Sequence, residues 1–574
     1  MNNSNEQCLS RRNWLGIVST ASVGAGLLTT TARAAELPGA SPDNTLGARV
    51  YNVRDFGAKG DGATLDTAAL QAAIDAANKD QGGTVLVPAG VFVIGTVEMK
   101  SNITLRIAAG GKLFGTADGK QYHAADAIPL SGDSTLNDGN VGLIFAVKAE
   151  NITIEGPGTI DGNGKQFLHG PNNEPSAAGL KSHERPYHLL LHQCTNVRVR
   201  DISLFASAYH SVRIIQSQYV WLTGIHIHSR EIHNADGFHF ISAQHVSISD
   251  CIVECQDDAC ALFGSCKFIT VTNCTFSTRW SVFRFGGGEA ENITVSNCLI
   301  YETYGCPIKI HCTPRSRFEN MSFSNLVMKN VTGPISIGLG GRGRRAPAPG
   351  ATATQTNTPP AESDEQEPVG ICRNISFSGI HAIVSVPVAL ADVPFKSGYN
   401  PGEVKSCIGL NAVGGVIENI SFNDVHVTFP GGGTAEEAAV RDVPKTIGEY
   451  YAAGVFPAYG LYARNVRGLT LNNVRFEVAG AEARPAVVFD HVEDAAVTAL
   501  NAQGTKEAES LLRFIETKDV LLTAARLLAP AAVFLQVEGA GSAGITVDGG
   551  DISKAAKPLV FENGGEEKAV KLRT

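Results

Sequence analysis

HVSISDC (residues 245–251), FITVTNC (268–274) and NITVSNC (292–298) repeat one pattern at separations of 23 and 24 residues. Within each copy the apolar residues alternate with polar ones: Val246 and Ile248, Ile269 and Val271, Ile293 and Val295. Alternation is the signature of a strand with one face inward. A fixed period of this length marks a solenoid, in which each unit buries its apolar face only by stacking on the next. Stacked at the ~4.8 Å strand spacing, the three copies put Cys251, Cys274 and Cys298 in one internal column.

Working outward, NITIEG (151–156), NVRVRD (196–201), NMSFSN (320–325), NISFSG (374–379), NISFND (419–424) and GLTLNN (468–473) carry the same alternation. The pattern predicts an all-β chain, a right-handed parallel β-helix, over residues 36–574 as a single domain. Separations of 45 residues, such as Asn374 to Asn419, read as two coils. The leading asparagines read as turn residues rather than glycosylation sites. Asp66 and Thr67 followed by Leu70, Ile74 and Ala77 predict an N-capped amphipathic helix sealing the first coil. Residues 340–368 mix Gly, Pro, Thr and charge, and read as a flexible loop between coils.

The N-terminus has Arg11 and Arg12, a short apolar run and Ala32-Arg33-Ala34, which together read as a twin-arginine export signal over residues 1–35. The run is shorter than the ~20 apolar residues that span a bilayer, so no membrane association is expected after cleavage. A net charge of −9 offers nothing to a phosphate backbone, so nucleic acid is not an expected partner. Eleven of the 12 cysteines follow the signal. An odd number without paired C-x-x-C spacing predicts buried thiols, with neither a disulfide framework nor a zinc site.

Polar residues stand out where the repeat calls for strand. Asp236 in NADG precedes Asp257 by 21 residues, and Asp258 follows at once, so three carboxylates fall about one coil apart. Crowded carboxylates raise at least one pKa, as a glycosidase needs when one acid stays protonated and another activates water. Taken alone, Asp257 and Asp258 also fit a solvated turn, and three aspartates also fit a calcium site. Successive strand residues face opposite sides, so both acids reach one cleft only if the backbone bends there.

Residues 53–77 (VRDFGAKGDGATLDTAALQAAIDAA), then NADG (234–237), QDDA (256–259) and PIKI (307–310), resemble glycoside hydrolase family 28, the polygalacturonases and their relatives, through about Val478. The last three stand where that family carries N-T-D, D-D and R-I-K. The resemblance implies that Asp257 is the general acid and that Asp236 and Asp258 hold and deprotonate the attacking water, with inversion. It implies that Lys309 binds the substrate carboxylate, that Asn234 lines the site, and that no cofactor or metal is required. Two departures stand against it: no histidine lies between His245 and His311, where G-H-G is expected, and Pro307 replaces the arginine. Arg279 or Arg284 are candidates to restore the charge. Tyr209, His210 and Trp280 are candidate sugar contacts, each also compatible with plain packing.

The expected partner is a pectic poly- or oligosaccharide, decorated or mixed rather than plain homogalacturonan, met by a monomer in the periplasm or outside the cell. A calcium-dependent pectin lyase with an arginine base, or a non-catalytic glycan-binding β-helix, are the alternatives. Exchanging Arg11 and Arg12 for lysine should leave full-length precursor in the cytosol, whereas the parent chain should be exported with a new N-terminus near Ala35. Cell fractionation with N-terminal sequencing decides this, and unaltered export of the variant would remove the twin-arginine reading.

Overall fold

The computed structural model describes residues 46–125, 128, 139–169, 174–341, 368–386, 407–443, 447 and 454–573. The export signal and nearly all of the 340–368 loop therefore lie outside the described residues. In the rest, short strands pair in parallel with the coil before and the coil after, forming three columns around one apolar core. Val246 lies opposite Ile269, Ile269 opposite Ile293, and Ile293 opposite Met321. The chain is a right-handed parallel β-helix, the hand that parallel crossovers take.

One expectation fails. Ile375 lies directly opposite Ile420, and Ile152 opposite Val197, so separations of 45 residues are single coils with an insertion. Past residue 468 the coils become regular again: Leu469, Ala495, Val520, Ile545 and Val570 follow in one register.

The leading residue of each repeat is left-handed, with φ of 57° at Asn151, 58° at Asn196, Asn292 and Asn320, 56° at Asn374 and 54° at Asn419. Asparagine tolerates this conformation because its short amide bonds locally. The amides also bond from coil to coil: Asn196 Nδ2 donates to Asn151 Oδ1 at 2.6 Å, and Asn374 Nδ2 to Asn320 Oδ1 at 3.1 Å. Three successive coils place a ring there instead. Tyr219, His245 and Phe268 hold the same corner at φ 54–57° and stack with ring centroids 4.9 Å apart.

The cysteine column forms as expected. Cys251, Cys274 and Cys298 are buried, and each thiol donates at 3.2 Å to the carbonyl two residues earlier. All eleven cysteines among the described residues are buried. Helix α1 (Thr67–Lys79) buries Leu70, Ala73, Ile74 and Ala77 against the first coils. Asp66 holds the N-cap position, but its carboxylate makes no capping bond. It accepts instead from the backbone N–H groups of Lys59 and Gly60, at 2.7 and 2.9 Å, because that turn folds back over the helix start.

Asn320→Ala keeps the left-handed corner but loses the asparagine tolerance and two ladder bonds, and should cost about 1–2 kcal/mol. Asn320→Gly should recover about 1 kcal/mol of that, since glycine adopts positive φ without strain. Denaturation midpoints of the two variants measure the difference.

Candidate active site

Five strands on one face position the acidic residues: β1 (Val212–Ile215), β2 (Phe238–Ile241), β3 (Cys260–Thr272), β4 (Ser281–Thr303) and β5 (Cys306–Cys312). Phe238, Cys260, Phe283 and Ile308 follow one another in register and point into the core. Two residues before these strands come Asp236 and Asp258, joined across coils by Gly237 N–H donating to the Asp258 carbonyl at 3.0 Å. Gly237 is required for this approach, since a Cβ there would lie 2.6 Å from the Ala259 carbonyl oxygen. One residue after Val212 and after each of these inward residues, the outward column reads Arg213, His239, Ala261, Arg284 and Lys309.

Asp257 and Asp258 sit in a bend between strands, which answers the alternation problem. The Asp258 N–H donates to Asp257 Oδ1 at 3.0 Å, and Asn234 Nδ2 donates to Asp257 Oδ2 at 3.2 Å. Arg284 Nη1 reaches Asp258 Oδ2 at 2.8 Å, while the buried Oδ1 has no hydrogen-bond partner. The carboxyl of Asp236, 4% exposed, is held on both oxygens: His210 Nδ1 lies 3.2 Å from Oδ1 and His239 Nδ1 lies 2.7 Å from Oδ2.

These surroundings split the proton affinities. Burial, then the charges of Asp236 and Asp258, push Asp257 well above the carboxylate range, against Arg284 and Lys309. Burial also raises Asp258, opposed by Arg284 and Lys309. At Asp236 burial acts the same way, but the contacts to His210 and His239 outweigh it and hold the carboxyl low. A site with one acid raised and a neighbour lowered has the ingredients of general acid and general base catalysis.

His210, Asp236 and His239 are close enough to be considered as metal ligands. The two imidazoles stack at 4.4 Å with only 12° between their planes. Ring nitrogens donate in the ring plane, and nearly parallel planes do not converge on an ion about 2.1 Å from each. Hydrogen bonds to the carboxylate fit the geometry better.

The structure thus gathers Asp236, Asp257, Asp258, Asn234, His210, Arg284 and Lys309. Lys309 is 1% exposed, with Nζ 5.5 Å from the centre of the Trp280 ring. Arg279 turns away, with Nη1 3.7 Å from Glu302 and its guanidinium over Tyr304, so of the two arginines Arg284 is the one beside the acids. Two residues escaped the sequence reading. Arg185, fully buried over the Tyr209 ring, donates to Asn234 Oδ1 at 3.4 Å from 49 positions away. His239 was within reach, because alternation from the inward Phe238 already turns it outward.

The split proton affinities carry a stability signature. As pH rises past about 3.8, unfolded Asp257 would lose its proton while the folded residue keeps it, so folding loses stability until the raised pKa is passed. Asp236 has the opposite sign, its contribution fading as pH falls. Asp257→Asn should therefore melt higher than the parent at pH 7, with the gap closing toward pH 4. A variant less stable than the parent at pH 7 would contradict the raised pKa.

Residues 79–340 match the glycosyl hydrolases family 28. An exo-poly-alpha-D-galacturonosidase of Dickeya chrysanthemi is 28% identical over 252 residues, covering 37% of this chain and 41% of that one. Polygalacturonase-2 of Solanum lycopersicum is 26% identical over 299 residues, covering 51% and 63%. This chain therefore spans less than two thirds of the length of either relative. A family 28 exopolygalacturonase of Yersinia enterocolitica superposes with a TM-score of 0.57 at 19% identity over 78% of each chain, a likeness of fold. The matched stretch begins after the 53–77 opening segment and contains Asp236, Asp257 and Asp258 along with Arg284 and Lys309. Over residues 79–340 the chain is similar to family 28 of the glycosyl hydrolases.

Proposed function

We propose that the protein is an exported hydrolase of pectic polysaccharide that cleaves with inversion at the anomeric carbon. The observation that carries this reading is the divergence of two neighbouring carboxyls, Asp257 raised and Asp236 lowered. In this scheme Asp257 gives its proton to the glycosidic oxygen as the C–O bond breaks. Asp236 and Asp258 orient a water and take its proton as the new bond forms on the opposite face. The unpartnered Oδ1 of Asp258 suits that task.

Lys309 and Arg284, adjacent in the outward column, supply cationic charge for a uronate carboxylate. Arg284 thus stands in for the charge that Pro307 lacks, though already engaged with Asp258. That engagement also counts against the lyase reading. A guanidinium paired with a carboxylate stays protonated and makes a poor base. Because Arg284 is shared, plain homogalacturonan should bind less tightly than a decorated or mixed pectic chain.

Reducing-end release should fall by at least ~10²-fold in Asp257→Asn with circular dichroism unchanged. The parent should show a bell-shaped pH profile peaking below neutrality, no loss after chelator dialysis, and an inverted anomer in the first product by NMR. Near-ultraviolet absorbance from an unsaturated product would indicate elimination instead. Binding without product on every pectic polymer tried would leave a glycan-binding solenoid. Turnover of polygalacturonic acid as fast as any decorated pectin would undo the substrate narrowing.

A further inference from the structure

We infer that His210 and His239 are positioning residues that clamp Asp236, one imidazole to each carboxylate oxygen, and so fix it as the base of the reaction; this rests on the hydrolase reading above. The two rings come from successive coils. His239 stands three residues after Asp236 on β2, and His210 lies one coil earlier, three residues before Arg213, the cross-strand partner of His239. Neither lies where G-H-G is expected, downstream of Asp258, so imidazole is present in this site but on the opposite side of the acids.

The protonation of the clamp follows from its acceptors. His210 Nδ1 also lies 2.9 Å from the Asn234 carbonyl, which can only accept, so Nδ1 carries a hydrogen. The ionised Asp236 imposes the same tautomer on His239 at 2.7 Å. Both Nε2 atoms are buried without a hydrogen-bond partner. Burial and then His210 lower the His239 pKa to about 4, so it is neutral in the working range and acts as a dipole donor.

Packing fixes the orientation. Tyr187, Tyr209, His210, His239 and Phe263 form a continuous stack with centroids 5.0, 4.3, 4.4 and 5.2 Å apart. Arg185 lies over Tyr209 near one end, and Arg284 lies over Phe263 at the other. The stack thus presents two imidazoles to Asp236, while the Arg284 at its end holds Asp258. Imidazoles wedged between rings cannot swing off the carboxylate, so the oxygens keep the orientation that water attack requires.

Among the described residues, few charged and titratable groups face Asp236. They are His239 on its own coil, His210 with Arg213 on the preceding one, and Cys255, Asp257 and Asp258 on the following one, with Arg284 and Lys309 beyond. Removing a clamp donor leaves Asp236 facing burial and two acids, so its pKa must rise.

The test compares His239→Ala with His239→Asn on whichever pectic substrate the parent cleaves. The Asn amide nitrogen has the same reach from Cβ as Nδ1 and restores the donor. His239→Ala should lower kcat ~10-fold or more with KM nearly unchanged, and should move the acidic limb of the pH profile upward by about one unit. His239→Asn should return that limb to the parent position. An unmoved limb in His239→Ala, or no difference between the two variants, would overturn the clamp. A second measurement needs no turnover. In protein carrying ¹⁵N-histidine, Nδ1-protonated signals for His210 and His239 should be present at pH 6 and should shift in Asp236→Asn. Two Nε2-protonated rings would overturn the clamp, whereas activity surviving in Asp236→Asn would overturn the hydrolase reading.

Discussion

A backbone that must enter the left-handed region at the same point of every coil is the constraint on which this molecule rests. Only glycine and, at small cost, asparagine or aspartate take that conformation readily. The corner therefore writes a column of Asn through the sequence, with Gly468 (φ 73°), Asp494 (57°) and Asp519 (51°) continuing it. Once the corner is fixed, the following strand has one register available, because a slip of one residue would turn Val246 and Ile248 out of the core. That register, and not any local feature of the acids, sets Asp236 beside Asp258. The aromatic corners at Tyr219, His245 and Phe268 fall on the coils next to the site, and their stacking offsets the strain of a bulky side chain at positive φ.

The site exploits the flat ends of the same coils. Rings placed at equal positions on consecutive rungs are separated by nearly the strand spacing, which is close to the distance at which aromatic groups stack. The Tyr187-to-Phe263 array is staggered instead: Tyr209 and His210 are neighbours on one coil, and Phe263 lies two residues beyond Ala261, the cross-strand partner of His239. Electrostatics do the rest. With Asp236 ionised against two imidazoles and Asp258 against a guanidinium, Asp257 is left as the carboxyl whose charge the site tolerates least.

Much of this was legible in the sequence. Alternation and the 23- and 24-residue separations sufficed for the fold class and the cysteine column, since both depend on periodicity alone. The three aspartates stood out because acids interrupt an apolar rhythm. What could not be read depended on pairing over distance. The 45-residue separations looked like two coils because an insertion and an extra coil lengthen the chain equally, and only cross-strand partners such as Ile375 and Ile420 tell them apart. Asp66 looked like a cap because its turn partners, Lys59 and Gly60, precede it and belong to no helix pattern. Arg185 gave no signal at all, as Asn234, its partner in the site, lies two coils on. Arg279 and Arg284 were equivalent in sequence, and only strand register separates the one beside Asp258 from the one beside Glu302.

The unequal coil lengths have an evolutionary consequence. Met321 and Ile375 pair across 54 residues while Val246 and Ile269 pair across 23, yet both fit one ladder. The entropy of closing a loop grows only logarithmically, about 0.6 kcal/mol for each doubling of length. Lengthening a corner excursion is therefore nearly neutral for folding, whereas moving a rung by one residue is not. Excursions can be grafted, shortened or exchanged by selection while the carboxylates stay one rung apart, so diversification of such a fold should proceed by drift in its excursions around an unmoved cluster of acids.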